Sequence, residues 1–326
     1  MFEPFFRLSG PPFQLSPDPR FFYNSRGHKR AHAYLQYGLY QNEGFIVLTG
    51  EVGAGKTTLI RSLMSGLDSS KVVASQLVST QLDADSLLRA VAAAFGVATG
   101  DKDKAGVLTE LEAYLLRLVQ ENRRALLIVD EAQNLAPAAV EELRMLSNFQ
   151  VGNRALLQSF LVGQPQLREL MRGAGMQQLR QRVIAAYHLG PLDKDETRAY
   201  IEHRLKHVGW RDDPHLDDNV FPAIHAHTGG IPRRINTLCT RLLLAAYLAE
   251  KHAICASDVE RVTAEMSEEF GEAISANGGN GEASHPGSPN IVGLEKRVAG
   301  VEKAMNITLN MLRQFMKARE EAHKVP

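Results

Sequence analysis

The sequence predicts an α/β fold, in which helices flank a parallel sheet of five strands and an all-helical domain follows. Three observations support this class: short apolar runs of strand length up to residue 190, helical spacing between those runs, and only helical spacing from 193 to 270. The predicted parts are an N-terminal arm (1–44), an α/β core (45–190), a helical lid (191–273), a flexible linker (274–290) and a last helix (291–320).

The composition argues against several classes of function. Lysine plus arginine and aspartate plus glutamate both number 37, so no overall charge draws the 326-residue chain to nucleic acid or anionic lipid. Cys239 and Cys255 lack metal-ligand spacing and suggest a reducing compartment. The first residues do not read as a signal peptide, and no apolar run reaches about 18 residues. We therefore expect a cytoplasmic protein that meets a membrane only through a partner.

The N-terminal arm combines aromatic and proline residues with one helix. Phenylalanine and proline are frequent in residues 4–22, and helical spacing covers 25–40. The arm has two interpretations: it packs over the α/β core, or its flat apolar rings line a pocket for a planar base. His28 has the same two interpretations, as a structural residue or as a ligand contact.

A phosphate-binding loop follows the first strand. The apolar run 45–49 predicts a buried strand, and the spacing of 58–64 predicts a helix. Between them, Gly50-Glu51-Val52-Gly53-Ala54-Gly55-Lys56-Thr57 matches G-x-x-x-x-G-K-[ST]. Glycines allow backbone N–H groups to surround a phosphate at a helix N-terminus, with Lys56 on the β- and γ-phosphates and Thr57 on Mg²⁺. The predicted ligand-binding set is this loop plus Thr58, and the alternative is a chance glycine-rich turn.

An acidic pair ends a later strand. Residues 72–78 predict a strand, and two helices follow at 83–95 and 104–122, with Asp83 and Thr109 as residues that start helical turns. The apolar run 125–129 predicts a central parallel strand that ends in Asp130-Glu131. With a phosphate-binding loop upstream, this pair predicts that Asp130 holds Mg²⁺ and that Glu131 orients and polarises the attacking water.

The rest of the core alternates helix and strand. We expect a helix at 137–148, with Pro137 near its start, and a fourth strand at 156–162 that leads into Gln164. A helix at 167–182 carries Arg180 and Arg182 near its end, and a fifth strand covers 183–189.

The lid is predicted to hold helices at 193–208, 216–228, 231–250 and 257–270. Pro232 suits the start of the third helix, where Arg233 can project its guanidinium into the cleft between the two domains. Arg234 is expected at the surface or at an interface.

The C-terminal residues form two predicted segments. Glycine, serine and asparagine make 274–290 a flexible linker by composition. Residues that are all apolar except Thr308 then recur at steps of three and four from Ile291 to Phe315, a seam of about four heptads. We expect a coiled coil or a partner-docking helix, and the alternative is a helix that folds back on its own domain.

These motifs together resemble the AAA+ branch of P-loop ATPases, and within it the secretion-associated ATPases typified by general secretion pathway protein A. The resemblance runs from about residue 2 to 270. The segments that carry it are Pro17-Asp18-Pro19 with Phe22-Tyr23 and His28, then 44–58, 130–135, 142–148, 161–165, 179–182 and 230–233.

The resemblance implies ATP hydrolysis with Mg²⁺ by a catalytic set: Lys56, Glu131, Gln164, Arg233 and one of Arg180 and Arg182. Gln164 would be the sensor 1 residue, in place of the usual asparagine or threonine, and Arg233 the sensor 2 residue on the γ-phosphate. Arg180 or Arg182 would be an arginine finger that reaches the next subunit of a ring, and the alternative for each is a solvated helical arginine. Because the chain shows no membrane span or peptidoglycan-binding region, it is more similar to the exosortase- and exopolysaccharide-associated type.

Three functions are compatible with the sequence. The first is a homo-oligomeric ATP-driven motor or switch for a bacterial secretion, exopolysaccharide or envelope assembly system, coupled to an envelope partner through 291–320. The second is a DNA-associated regulator resembling the ATP-binding subunits of transposition systems, against which balanced charge and the lack of a helix-turn-helix signal argue. The third is a nucleotide-gated scaffold with little turnover.

Overall fold

The computed structural model describes residues 1–16, 18–78, 82–152, 154–173 and 175–270. The predicted linker at 274–290 and the predicted heptad helix at 291–320 lie outside these residues. Across the described ranges, none of the helices combines the length and the apolar composition that crossing a bilayer requires.

A parallel sheet of five strands forms the centre of the core. The strands of the described ranges are β1 (Phe45–Gly50), β2 (Val72–Val78), β3 (Arg124–Asp130), β4 (Gln150–Val151), β5 (Arg154–Ala155), β6 (Leu157–Gly163), β7 (Val183–Leu189), β8 (His215–Leu216) and β9 (Ala253–Ile254). The central sheet has the order β2-β3-β6-β1-β7 with every pairing parallel, so β6 lies between the strands that carry the two predicted motifs. The predicted fold class is confirmed.

The central strands are apolar on both faces because helices cover both faces. In β3, Ala125, Leu127 and Val129 pack into one hydrophobic cluster, whereas Leu126 and Ile128 pack into another on the opposite face. This alternation follows from the period of two along a strand. A central parallel strand therefore reads as an uninterrupted apolar run rather than as alternating polar and apolar residues.

The helices of the described ranges are α1 (Arg26–Gln41), α2 (Lys56–Ser65), α3 (Ala84–Ala94), α4 (Lys104–Gln120), α5 (Pro137–Leu146), α6 (Gln166–Arg172), α7 (Gln177–Gln181), α8 (Lys194–His207), α9 (Val220–Thr228), α10 (Pro232–Leu248) and α11 (Ala256–Phe270). Buried side chains of α1 and α2 cover one face of the sheet, and those of α3 to α7 cover the other. Helices α8 to α11 form the lid, whose first helix begins at a capping box between Asp193 and Glu196.

The first part of the arm belongs to the lid. Phe2, Phe6, Leu8, Phe13 and Phe21 are buried in the same hydrophobic cluster as the lid helices. The interpretation that this part packs over the α/β core is therefore wrong, and only α1, which follows it, packs on the sheet.

Three local predictions are wrong for identifiable reasons. Asp103, not Thr109, caps α4: its carboxylate accepts the Gly106 N–H, whereas Thr109 lies inside the helix and donates to the Ala105 carbonyl.

The predicted helix 167–182 is two helices, α6 and α7, because glycines at 173 and 175 interrupt it and Gly175 has a φ of 89°. The predicted helix 216–228 begins only at Val220, since Leu216 pairs with Ile254 in the short parallel ladder of β8 and β9.

Candidate nucleotide site

The phosphate-binding loop connects β1 to α2 through two glycines with left-handed backbone. Gly53 and Gly55 have φ values of 82° and 97°, which non-glycine residues rarely adopt. Neighbours also leave no room for side chains there: a Cβ at Gly53 would lie 2.3 Å from the Cβ of Arg233, and one at Gly55 would lie 2.7 Å from Nε2 of His28. The loop is thus held between the lid and the start of α1.

Lys56 occupies the centre of this loop. Its buried Nζ donates to the carbonyl oxygens of Gly50 at 2.8 Å and Glu51 at 2.9 Å. Burial lowers the pKa of the ammonium group, while the charges of Glu131 and Asp130 oppose that change. A phosphate group near the loop would give this buried cation a charged partner in place of two neutral carbonyls.

The two sequence motifs meet at the carboxyl edge of the sheet. Thr57 donates from Oγ1 to Oδ2 of Asp130 at 3.2 Å, although 73 residues separate them. Burial raises the pKa of Asp130, against the hydrogen bonds from the Glu131 N–H and from Thr57. A cation would stabilise this buried carboxylate, and a hydroxyl and a carboxylate oxygen are the hard donors that Mg²⁺ prefers, so Thr57 and Asp130 fit the predicted metal site.

Glu131 is held by two glutamines. Its Oε2 accepts hydrogen bonds from Nε2 of Gln133 at 2.6 Å and from Nε2 of Gln164 at 3.0 Å. The backbone N–H of Gln164 donates in turn to Oε1 of Gln133 at 2.9 Å. Burial raises the pKa of Glu131, but the hydrogen bonds from Gln164 and Gln133 and the charge of Lys56 outweigh it, so the pKa lies below its usual value. The carboxylate is therefore ionised and fixed in orientation.

The backbone of Glu131 supports this placement. Its φ of 53° puts it in the left-handed region just after β3, and a short 3-10 helix (Ala132–Asn134) follows. This turn brings Gln133 back toward the carboxylate. The sequence predicted Glu131 and Gln164 but did not single out Gln133, whose role depends on this turn.

The lid contributes Arg233 to the site. Its backbone N–H donates to the Gly53 carbonyl at 3.2 Å, which joins the start of α10 to the phosphate-binding loop. The exposed guanidinium lines the same cavity as Lys56 and Glu131 and has no hydrogen-bond or ion-pair partner in the described part of the chain. The structure thus places Arg233 where the sequence predicted it.

Arg180 and Arg182 do not line this cavity. Arg180 donates from Nη1 to the carbonyls of Met171 at 2.6 Å and Gly173 at 3.4 Å. Arg182 donates to the Ser147 hydroxyl at 2.6 Å and to the Asn148 side chain. Both arginines therefore hold loops of their own chain.

The cavity has a volume of about 340 Å³, and the arm forms one of its walls. The arm residues that line it are Gln14, Leu15, Ser16, Asp18, Phe21, Phe22, Tyr23 and His28. Arg204 of the lid, which is largely buried and also lines the cavity, donates to the Pro12 carbonyl at 2.6 Å and the Gln14 carbonyl at 3.3 Å. The second part of the arm thus lines the cavity, as one of the two interpretations expected, whereas binding of a planar base there stays a prediction; His28 is both buried and at the cavity.

Comparisons with known proteins agree with this geometry. The profile of the AAA domain family matches residues 39–171. The fold and the site therefore define a AAA+ P-loop protein. Over 270 residues the chain is 38% identical to general secretion pathway protein A of Aeromonas hydrophila, in an alignment that covers 82% of this chain and 49% of that protein. The chain belongs to the family of general secretion pathway protein A and spans about half the length of this relative.

Solved structures with a similar fold have low sequence identity. The Cdc6p structure of Pyrobaculum aerophilum has a TM-score of 0.61 at 16% identity, covering 78% of this chain and 70% of that chain. The ORC2 protein of Aeropyrum pernix, in ADPNP–ADP complexes, has a TM-score of 0.57 at 19% identity, covering 78% and 71%. At these identities the likeness shows the fold alone.

Proposed function

We propose that the chain binds ATP with Mg²⁺ and hydrolyses it, as a motor or switch for a bacterial secretion or envelope export system of the exosortase- or exopolysaccharide-associated type. The observation that carries the enzymatic part is the contact of 3.2 Å between Thr57 and Asp130, with Lys56, Thr57 and Glu131 lining one cavity. The proposed role in secretion is supported by the similarity to general secretion pathway protein A.

Each residue at the site has a proposed part in the reaction. Lys56 exchanges its two carbonyl acceptors for phosphate oxygens when ATP binds. Mg²⁺ held by Thr57 and Asp130 would neutralise charge on the phosphoryl oxygens. Glu131, ionised and fixed through Oε2, has its second carboxylate oxygen available to orient the attacking water and accept its proton.

The lid is proposed to report the state of the γ-phosphate. Arg233 has a guanidinium free of partners in the described residues, and its backbone is bonded to the phosphate-binding loop. Loss of the γ-phosphate would remove a charged partner of Arg233 and so favour a different position of α10.

Two further parts of the proposal rest on the sequence. A homo-oligomer, in which Arg180 or Arg182 reaches the nucleotide of the next subunit, would require that arginine to leave its present loop contacts. An envelope protein would bind residues 291–320. The DNA-associated alternative has no specific observation in its favour, since the likeness to origin-recognition structures shows only the fold.

The enzymatic proposal is tested with two substitutions and matched controls. Lys56→Ala is expected to lose nucleotide binding, measured with a fluorescent ATP analogue, because the phosphates lose their buried cation. Glu131→Gln is expected to bind ATP but to release phosphate at least about a hundredfold more slowly. Lys29→Ala and Glu112→Gln, which change exposed residues of the same types, should match the wild type. Normal turnover by Glu131→Gln would exclude that residue from the mechanism.

The physiological part has its own test. Lys56→Ala and Glu131→Gln, expressed in the source bacterium, should stop export of the exopolysaccharide or secreted substrate while the protein level stays unchanged. Duplex DNA should leave the ATPase rate unaltered. A rate that rises with DNA and falls steeply with salt would instead support the DNA-associated function.

A further inference from the structure

A second cavity lies at the opposite edge of the sheet from the phosphate-binding loop. It has a volume of about 260 Å³, and its polar lining consists of Asn42, Lys71, Asn122, Arg123, Arg124 and Arg154. Arg124 begins β3 and Asp130 ends it, so a strand rise of about 3.3 Å per residue separates this cavity from the Mg²⁺ site by about 20 Å. The two sites are therefore distinct.

The lining of this cavity carries four cationic side chains and, among the described residues, no acidic one. Lys71 and Arg123 have carboxylates nearby, Asp68 at 3.5 Å and Glu121 at 3.4 Å. Those two carboxylates are about half exposed, with accessibilities of 52% and 48%, so solvent screens both pairs. The cavity is thus strongly positive.

Two of the arginines are not paired with an anion inside the structure. Arg124 donates only to neutral acceptors, the Leu39 carbonyl at 2.8 Å and Oδ1 of Asn42 at 3.3 Å, and burial lowers its pKa. Arg154 is exposed, and its guanidinium has no hydrogen-bond or ion-pair partner within the described ranges.

The neighbouring Arg123 has an unsatisfied donor. Its Nε–H is buried and has no acceptor among the described residues. Buried donors without acceptors and partly buried unpaired charges both raise the free energy of a folded protein. An anion in the cavity would give Arg124 and Arg154 a charged partner and so offset the cost of their unpaired charges.

We propose that this cavity binds a phosphate-bearing anion. Guanidinium groups donate two parallel N–H bonds to phosphate oxygens, and three arginines from two segments, Arg123-Arg124 and Arg154, line one concave surface. The volume exceeds the roughly 30 Å³ that one water molecule takes up in the liquid by a wide margin, so a diphosphate or a phosphate with an attached group fits. A free phosphorylated metabolite and the headgroup of an anionic phospholipid share this chemistry.

The test uses the full chain, with its nucleotide site saturated by a non-hydrolysable ATP analogue so that a second anion must bind elsewhere. Inorganic pyrophosphate is then titrated by calorimetry. The main variant is Lys71→Gln/Arg154→Gln, because both side chains are exposed and we expect the fold to tolerate their loss. The control, Arg172→Gln/Arg211→Gln, removes two exposed charges outside the cavity. A second variant, Arg124→Gln, removes the half-buried arginine.

We expect pyrophosphate to bind one site per chain in the wild type and in the control, and about tenfold or more weakly in the main variant. In a parallel arm, flotation with phosphatidylcholine vesicles that contain or lack phosphatidic acid separates the two sources of phosphate. If the wild type floats only with vesicles that contain phosphatidic acid, and the main variant does not float, the ligand is a lipid headgroup. If the wild type does not float but still binds pyrophosphate, the ligand is a free phosphorylated molecule. Equal pyrophosphate binding by the wild type and the main variant, or no binding by the wild type in either arm, overturns the proposal.

Discussion

Replacing His28 with glutamine should remove an acid sensitivity of the fold. His28 is 5% exposed, its Nδ1 lies 2.8 Å from the Ser25 hydroxyl, and its ring contacts the phosphate-binding loop at Gly55. Burial lowers its pKa from 6.5 to about 4, against the opposing effects of the Glu196 charge and a hydrogen bond to the Ala54 backbone. The native protein therefore keeps this imidazole neutral in a pH range where the unfolded chain protonates it.

The sign and size of the effect follow from these two pKa values. As the pH falls below 6.5, the unfolded state takes up a proton that the native state does not take up until about pH 4, so the free energy of unfolding decreases over this window. Lowering the pH from about 7 to about 5 therefore lowers the free energy of unfolding by about 2 kcal/mol through this group alone.

Urea unfolding at the two pH values measures this difference. The wild type should lose about 2 kcal/mol more of its free energy of unfolding than His28→Gln does. His227→Gln, which removes an exposed imidazole, should behave like the wild type. If the wild type and His28→Gln lose equal stability, then His28 is not the buried neutral group that the geometry indicates.

Two further predictions concern the nucleotide site, one for the phosphate-binding loop and one for the residues around Glu131. Gly53→Ala should lower thermal stability and weaken nucleotide binding, because it adds left-handed strain of about 1–2 kcal/mol and its Cβ would lie 2.3 Å from that of Arg233. Gly96 has a similar φ but open space around it, so Gly96→Ala should lower thermal stability without weakening nucleotide binding. Equal nucleotide binding by the two variants would contradict the role of the close approach between Gly53 and Arg233. Gln164→Ala should slow phosphate release about tenfold to a hundredfold and, since the pKa of Glu131 then rises, move the acidic limb of the pH–rate profile to higher pH. An unmoved limb would argue that Gln164 does not act through Glu131.

Local patterns were enough to predict the core of the site. The glycine spacing of the phosphate-binding loop and the apolar run before Asp130 each depend on neighbours in the sequence, so both could be located without a structure. Parallel strands bring their carboxyl ends to one edge, and this rule is why Thr57 and Asp130 lie within hydrogen-bond distance.

Contacts between distant segments could not be predicted in the same way. Gln133 donates a hydrogen bond to Glu131 only because the backbone turns at Glu131, which has a left-handed conformation. The spacing of apolar residues along the sequence does not predict such a turn. The available signals were its position two residues after the predicted catalytic carboxylate and its place in the segment 130–135, which carries the family resemblance. The apolar rings of Phe6 and Phe13 fit any apolar surface, so the sequence left open which domain they cover.

The composite construction of the lid has a consequence for protein synthesis. The Ser9 hydroxyl donates to the Val208 carbonyl across 199 residues, and the arm phenylalanines and Leu8 around it complete a cluster whose other buried members come from Leu192 onward. At about 5–20 residues per second, a ribosome needs about 10–40 s to deliver those partners. Throughout that interval the arm phenylalanines of the nascent polypeptide lack the lid residues that bury them, so this apolar segment is exposed to chaperones during translation.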